Sequence, residues 1–304
     1  MKHYLKLTRP LNLLIICFTM VGVRHYLMVT NGETYFWEWS FALLVLSMVL
    51  IAGAGNVIND YFDVETDRIN KPEKLIVGKY ITSKQAMRYY IALNSTAVLI
   101  ALFLCWHLET WVFAVFHPLL VLLLYLYSYY FKKTLLMGNF FVSCIVTSAV
   151  IVVPLFMDAD KIHYSYPHDT LDPVFQTFNW NVVWGFALLA FLQNLAREII
   201  KDVEDMAGDK KINATTFPIV YGEKFAIEFF GIVTLVYPLL LCYYFFAHSL
   251  HISVYLIPLI ISAFINIFVG YLAFFDKSLK AKRWMKNFTK YAMIIGLLYL
   301  FLPR

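Results

Sequence analysis

The residues best suited to chemistry in this chain are acids at a repeated spacing. Asn56, Asp60, Asp63 and Asp67 recur at i, i+4, i+7 and i+11 within NVINDYFDVETD. A helix advances about 100° per residue, so four oxygen-bearing side chains at that spacing share an arc of about 60°. The same spacing returns 142 residues later as Glu198, Asp202, Asp205 and Asp209. Gly208 can end that second helix and put Asp209 on the following turn. Carboxylates packed together repel one another and raise some of their pKa values. Divalent cations bridged by a diphosphate relieve that conflict. Mg2+ takes oxygen ligands, keeps waters, and is often shared between carboxylates and substrate phosphates. The pattern therefore predicts two facing helices that present carboxylates to divalent cations. Two solvated acidic helix ends are the plainer reading, but a solvated face does not need the same stripe twice.

Basic residues lie close to these acids. Lys71, Lys74 and Lys79 follow the first stripe, Arg197 and Lys201 lie before and within the second, and Lys132 and Lys133 form a pair between them. Lysine meets phosphate as a point charge, and arginine grips two oxygens at once. Acids for metal, bases beside them and apolar flanks together predict a lipid diphosphate substrate.

The elements that must position these residues are membrane helices. Of the 304 residues, 61% are apolar and 15% charged, with a mean hydropathy of +0.67. That composition lies far from soluble domains and excludes disorder, coiled coils, collagen-like fibres and secreted disulfide scaffolds. Cys17, Cys105, Cys144 and Cys242 lie far apart in apolar runs, without a CxxC for zinc or redox work. About 20 apolar residues cross a bilayer. Nine segments meet that requirement: 10–29, 38–60, 86–106, 110–130, 136–157, 181–200, 225–247, 252–275 and 287–302. Two-residue alternation is absent, which argues against a membrane barrel. The first run is too long, and lacks the cleavage site, for a signal peptide.

With nine crossings and a cytoplasmic N-terminus, one face holds every Lys and Arg except Arg24, Lys161 and Arg304. Positive residues mark the cytoplasmic side. The net charge of +5 is thus a topology signal rather than a nucleic-acid footprint. Residues 1–304 read as a single all-α integral-membrane domain of the cell (inner) membrane. The candidate active site lies on its cytoplasmic side. The long outer connection, 158–180, carries Pro167, Pro173, His163 and His168 without metal-ligand spacing.

These residues resemble the UbiA superfamily of intramembrane prenyltransferases. Asn59-Asp60-Tyr61-Phe62-Asp63-Val64-Glu65-Thr66-Asp67 matches its first motif, NDxxDxxxD, and Asp205-Met206-Ala207-Gly208-Asp209 its second, DxxxD. Arg9-Pro10 and Gly138-Asn139 extend the resemblance over nearly the whole chain. Asp67-Arg68-Ile69-Asn70-Lys71-Pro72 and the run Arg197–Asp205 look most like the geranylgeranylglycerol-phosphate geranylgeranyltransferase branch of ether-lipid synthesis. Lys71 and Lys74 stand where that branch more often has arginine, which keeps the charge and loses the bidentate fork.

The resemblance implies transfer of a prenyl group, geranylgeranyl in the branch it most resembles, from a prenyl diphosphate to an acceptor, with release of diphosphate. It implies Mg2+ held by Asn56, Asp60, Asp63 and Asp67 and by Asp202, Asp205 and Asp209. Asp63, Asp205, Lys74 and Arg197 would carry catalysis. Lys71, Lys74, Lys132, Arg197 and Lys201 would bind the diphosphate. Tyr125, Tyr127, Tyr129 and Tyr130 are candidates for stabilising an allylic cation. Arg24 and His25 either line the bundle interior or snorkel to the far surface. Asn194 hydrogen-bonds within its helix or near the site.

The best-fitting acceptor is geranylgeranylglycerol phosphate; an aromatic quinone precursor of the hydroxybenzoate or naphthoate type is the alternative. An ion-coupled transporter is the rival of another class, because buried acids in polytopic proteins often move ions. Transport sites sit near the midplane on interrupted helices. Both stripes here lie at helix ends, and neither span carries proline. No nucleic acid and no obligate protein partner is implied.

Overall fold

In a computed structural model the chain is described for residues 2–32, 38–165, 180–247 and 254–302, with side chains to Asp160 in the second stretch. Twelve α-helices follow in order: α1 Lys2–Leu7, α2 Pro10–Thr30, α3 Trp39–Phe62, α4 Val64–Asn70, α5 Ser83–His107, α6 Val112–Tyr129, α7 Met137–Ser165, α8 Trp180–Lys211, α9 Phe217–Tyr221, α10 Glu223–Ala247, α11 Ile257–Phe275 and α12 Leu279–Leu298. Eight helices among the described residues are long and apolar enough to cross a membrane, and the chain reads as a multi-pass membrane protein. They cover the first eight expected spans. The ninth differs: α12 starts at Leu279 and carries Lys280, Lys282, Arg283 and Lys286 in its first half, which is too polar to meet the same standard. α7 runs to Ser165 rather than ending at 157, which puts His163 in a helix. Pro167, His168 and Pro173 lie outside the described residues. The four cysteines are free.

The chain divides into two compact units, residues 1–129 with 148–184, and residues 130–147 with 185–304. In the first, α3 packs against α5 and α6. α5 turns Ala97, Ala101 and Leu104 inward, and small side chains let helices approach closely where lipid supplies no hydrophobic drive. α5 itself starts at a capping box, with Gln85 N–H donating to Thr82 Oγ1 at 3.2 Å and Thr82 N–H to Gln85 Oε1 at 2.9 Å. Rings of Phe41 and Phe113 flank Phe156 at 5.6 and 6.3 Å between centroids. Arg24 does not snorkel: it is 2% exposed, lies over the Phe41 ring and pairs with Glu38 at 2.9 Å.

In the second unit Ala196, Ile199, Ile200 and Val203 of α8 pack with Ile227 and Phe230 of α10, Val269 and Leu272 of α11, and Met285 of α12. Gly138 opens α7 against a short 3-10 turn, Phe131–Lys133. A Cβ at Gly138 would lie 2.5 Å from the Phe131 carbonyl oxygen, and backbone cannot swing aside as a side chain does. Gly138→Ala is therefore expected to cost about 1–3 kcal/mol of stability. Thermal unfolding of the purified protein in detergent checks this, with Gly185→Ala, where a Cβ meets nothing, as the control.

Candidate active site

The first stripe is built at the junction of α3 and α4. The backbone bonds run unbroken in helical register, Asp63 N–H to Asn59 O at 3.0 Å and Asp67 N–H to Asp63 O at 2.8 Å. α3 nevertheless ends at Phe62, so the four side chains do not ride one straight helix: Asn56 and Asp60 lie on α3, Asp63 on the joint and Asp67 on α4. Asp63 is buried and Asp67 half-buried. Two of the four are held by the corner before α2. Asn56 Nδ2 donates to Thr8 O at 2.9 Å, and Arg9 Nη2 donates to Asp60 Oδ1 at 2.5 Å. Arg9 has a left-handed backbone, φ 55°, costly for a non-glycine residue and common at functional sites. Desolvation opposes its charge, but Asp60, Asp63 and Asp67 outweigh that and raise its pKa above the ordinary value. The sequence marks Arg9 only as the arginine before Pro10; nothing in spacing ties it to Asp60, some fifty residues on.

Lys71 and Lys74 sit on the loop after α4. That loop is anchored rather than loose: Ile76, Val77 and Ile81 are buried with Leu7, Val57 and Ala86. Gly78, at φ 83°, takes the left-handed position of its turn. Lys74 is exposed and Lys71 half-buried. Beside Asp63, Phe62 packs edge-on against Tyr125 and Tyr129, whose rings stack at 6.1 Å. Tyr127, on another face of α6, is buried, and Tyr130 lies beyond the end of α6, in the second unit.

The second stripe is continuous. α8 passes through Gly208 to Lys211, so Asp209 lies on the helix and not on a following turn. Asp209 is buried and accepts from Thr216 Oγ1 at 3.4 Å. Asp202 accepts from Asn139 Nδ2 at 2.8 Å, which explains the Gly138-Asn139 pair: one admits the turn, the other meets the acid. Glu198 organises the bases. It accepts from Lys201 at 2.8 Å and from Arg197 at 3.1 Å, and Lys132 adds its charge to the same carboxylate. The 3-10 turn bearing Lys132 is tied down in turn, because Thr215 N–H donates to Lys133 O at 2.9 Å. Lys132, Arg197 and Lys201 are thus brought together in the second unit. Lys71 and Lys74 belong to the first. Asn194 bonds Ala190 O within its own helix at 3.2 Å.

Among the described residues no three Asp, Glu, His or Cys side chains converge as a metal cage. The donors still suit Mg2+, a hard ion that binds through one or two carboxylates and completes its shell with water and substrate phosphate. Chemically, the arrangement offers carboxylate oxygens at two helix ends with cations held beside them.

Residues 15–295 match the UbiA prenyltransferase family. Digeranylgeranylglyceryl phosphate synthase of Methanosphaera stadtmanae is 33% identical over 299 residues, 97% of this chain and 97% of that one. The Thermococcus kodakarensis synthase is 32% identical over 239 residues, 77% of this chain and 76% of that one. A solved digeranylgeranylglyceryl phosphate synthase superposes with a TM-score of 0.67 at 26% identity, over 99% of this chain and 97% of that one. A UbiA homologue from Archaeoglobus fulgidus bound to GPP and Mg2+ shares the fold, with a TM-score of 0.58 at 16% identity over 99% of this chain and all of that one.

Glu198→Gln keeps the volume but removes the charge that Arg197 and Lys201 share. It is expected to destabilise the protein by about 1–3 kcal/mol, the cost of weakening hydrogen bonds to a charged group. Thermal unfolding against wild type measures this.

Proposed function

The chain belongs to the UbiA prenyltransferase family, and from that premise we propose Mg2+-dependent transfer of a geranylgeranyl group from its diphosphate to geranylgeranylglycerol phosphate, with release of diphosphate. The observation that carries the acceptor is similarity to digeranylgeranylglyceryl phosphate synthases along 97% of both chains. The doubled carboxylate spacing supports the diphosphate half of the reaction. The charge bias supports a cytoplasmic N-terminus, an active site on that side, and a ninth crossing through the apolar end of α12. The setting is the cell membrane, and residues 1–304 serve as a single prenyltransferase domain.

In this reading Asn56, Asp60, Asp63 and Asp67 and, separately, Asp202, Asp205 and Asp209 hold the metal. Mg2+ held there would neutralise charge on the departing diphosphate. Lys71, Lys74, Lys132, Arg197 and Lys201 bind the diphosphate oxygens, and Lys74 and Arg197 stabilise the charge that grows as the C1–O bond breaks. Glu198 keeps Arg197 and Lys201 extended and in place before substrate arrives. Cleavage would leave an allylic cation, for which the stacked rings of Tyr125 and Tyr129 are the candidate stabilisers. The acceptor hydroxyl oxygen then bonds to C1, and its proton passes to the released diphosphate. Apolar helix walls keep water from quenching the cation first. Arg9 fixes the orientation of Asp60 without touching substrate.

Purified protein supplied with a panel of prenyl diphosphates and acceptors, with products read by mass spectrometry, tests the proposal. The expected product is the doubly geranylgeranylated glycerol phosphate; a prenylated hydroxybenzoate or naphthoate would replace the acceptor assigned here. Asp63→Ala and Asp205→Ala are each expected to cut diphosphate release to about 1% of wild type or less while the protein still inserts and folds. EDTA should stop turnover, and added Mg2+ should restore it.

A further inference from the structure

α8 and α12 run antiparallel in the second unit, and two contacts set their register: Glu204 pairs with Lys286 at 2.5 Å, and the Phe186 ring meets Tyr299, just past the end of α12, at 5.9 Å between centroids. Between these contacts Arg197 and Lys290 lie near enough to interact through charge. Phe186, Arg197 and Glu204 fall within about 20° of one another around α8, and Gln193 lies on the same strip. Lys286 and Lys290 share a face of α12 one turn apart. The face of α8 turned toward α12 therefore carries Gln193 and Arg197, with Lys290 near Arg197.

Two of these three residues lack partners. Gln193 is 4% exposed, and neither its Oε1 nor its Nε2 has a hydrogen-bond partner. An amide buried without partners costs free energy for each unmade bond. Lys290 lies within the apolar half of α12, half-buried, with no carboxylate in salt-bridge range among the described residues. The charged group acting on it is another cation, Arg197. One rung below, Lys286 has Glu204; at the Lys290 rung no acid takes that place. A lysine without an acid, an arginine held by one carboxylate oxygen and an unused amide on the same strip of α8 form an incomplete set, and a multivalent oxyanion completes it. Such an anion accepts from both cations and from Gln193 Nε2.

We propose that the α8–α12 seam binds the phosphate monoester of the lipid acceptor, separately from the carboxylates that serve the departing diphosphate. This rests on the reading of the acceptor as a lipid phosphate and adds Lys290 and Gln193 as residues that determine its specificity. Arg197 precedes Asp202 by five residues, about 7.5 Å along the helix axis. One acceptor molecule can thus keep its phosphate in the seam while its glycerol hydroxyl reaches toward the bond being broken. Arg197 links the two halves, because Glu198 joins it to Lys201.

Steady-state kinetics of the full chain in zwitterionic nanodiscs, with geranylgeranyl diphosphate and geranylgeranylglycerol phosphate varied in turn, tests the seam. Lys290→Ala is expected to raise KM for the acceptor by about tenfold or more while KM for the diphosphate stays within about twofold. Lys290→Arg should recover most of the loss. Gln193→Leu removes both unpaired atoms, so it should fold at least as stably as wild type and still raise the acceptor KM. If the wild type uses the lipid phosphate and Lys290→Ala leaves both KM values alone, the seam is overturned and the acceptor stands. A second measurement separates the other failure: thermal stabilisation by a single-chain alkyl phosphate in the absence of prenyl donor. If the wild type prenylates only aromatic acids but the alkyl phosphate stabilises it in a Lys290-dependent way, the seam stands and the acceptor falls. Equal stabilisation by phosphatidylglycerol, a diester, would overturn the assignment to an acceptor monoester in favour of a membrane lipid.

Discussion

A charge surrounded by apolar helices must be compensated where it stands, because neither lipid nor a packed core solvates it. The acids of this protein obey that constraint one by one. Asp60 has Arg9, Asp202 has Asn139, Asp209 has Thr216, and Glu198 has Arg197 and Lys201. The compensation also explains features that otherwise look incidental. The strained Arg9 backbone, the tight turn at Gly138 and the link from Thr215 to Lys133 all bring a partner to an acid or hold one near it.

The same constraint divides labour among the partners. Arg9 and Asn139 engage single carboxylates and restrict their orientation, which suits groups that must be preorganised before a charged substrate arrives. Glu198 works in the opposite sense, as an anion that gathers cations. Its two bound bases and the nearby Lys132 form a positive cluster that would repel itself without it. In the proposed reaction, diphosphate would exchange water for groups already held in place. Away from the site the charge is neutralised more simply: Lys277 pairs with Glu228 and Lys282 with Glu223, which lets the basic start of α12 pack against α10.

Much of this was legible in the sequence, and what was missed has identifiable causes. Helical spacing showed both acidic stripes, because side chains on one helix are ordered by a fixed 100° rotation. Apolar run length located the first eight spans. The joint at Asp63 was invisible to the same rule, which assumes a straight helix. Gly208 misled for a related reason: glycine tolerates a helix end but does not impose one, and α8 continues through it. The polar first half of α12 was hidden by the apolar half that follows. Lys290 was read as one more positive-inside residue, since its partner set depends on α8.

The sequence alone therefore determined what is local or periodic: a helical membrane protein, two carboxylate stripes of equal spacing, and bases nearby along the chain. Tertiary structure alone decided which groups meet. Arg9 and Asp60, Asn139 and Asp202, and Glu204 and Lys286 are far apart in sequence, and only helix packing brings them within reach. No periodicity encodes such pairs, because the register between two packed helices is set by interlocking side chains along their whole length.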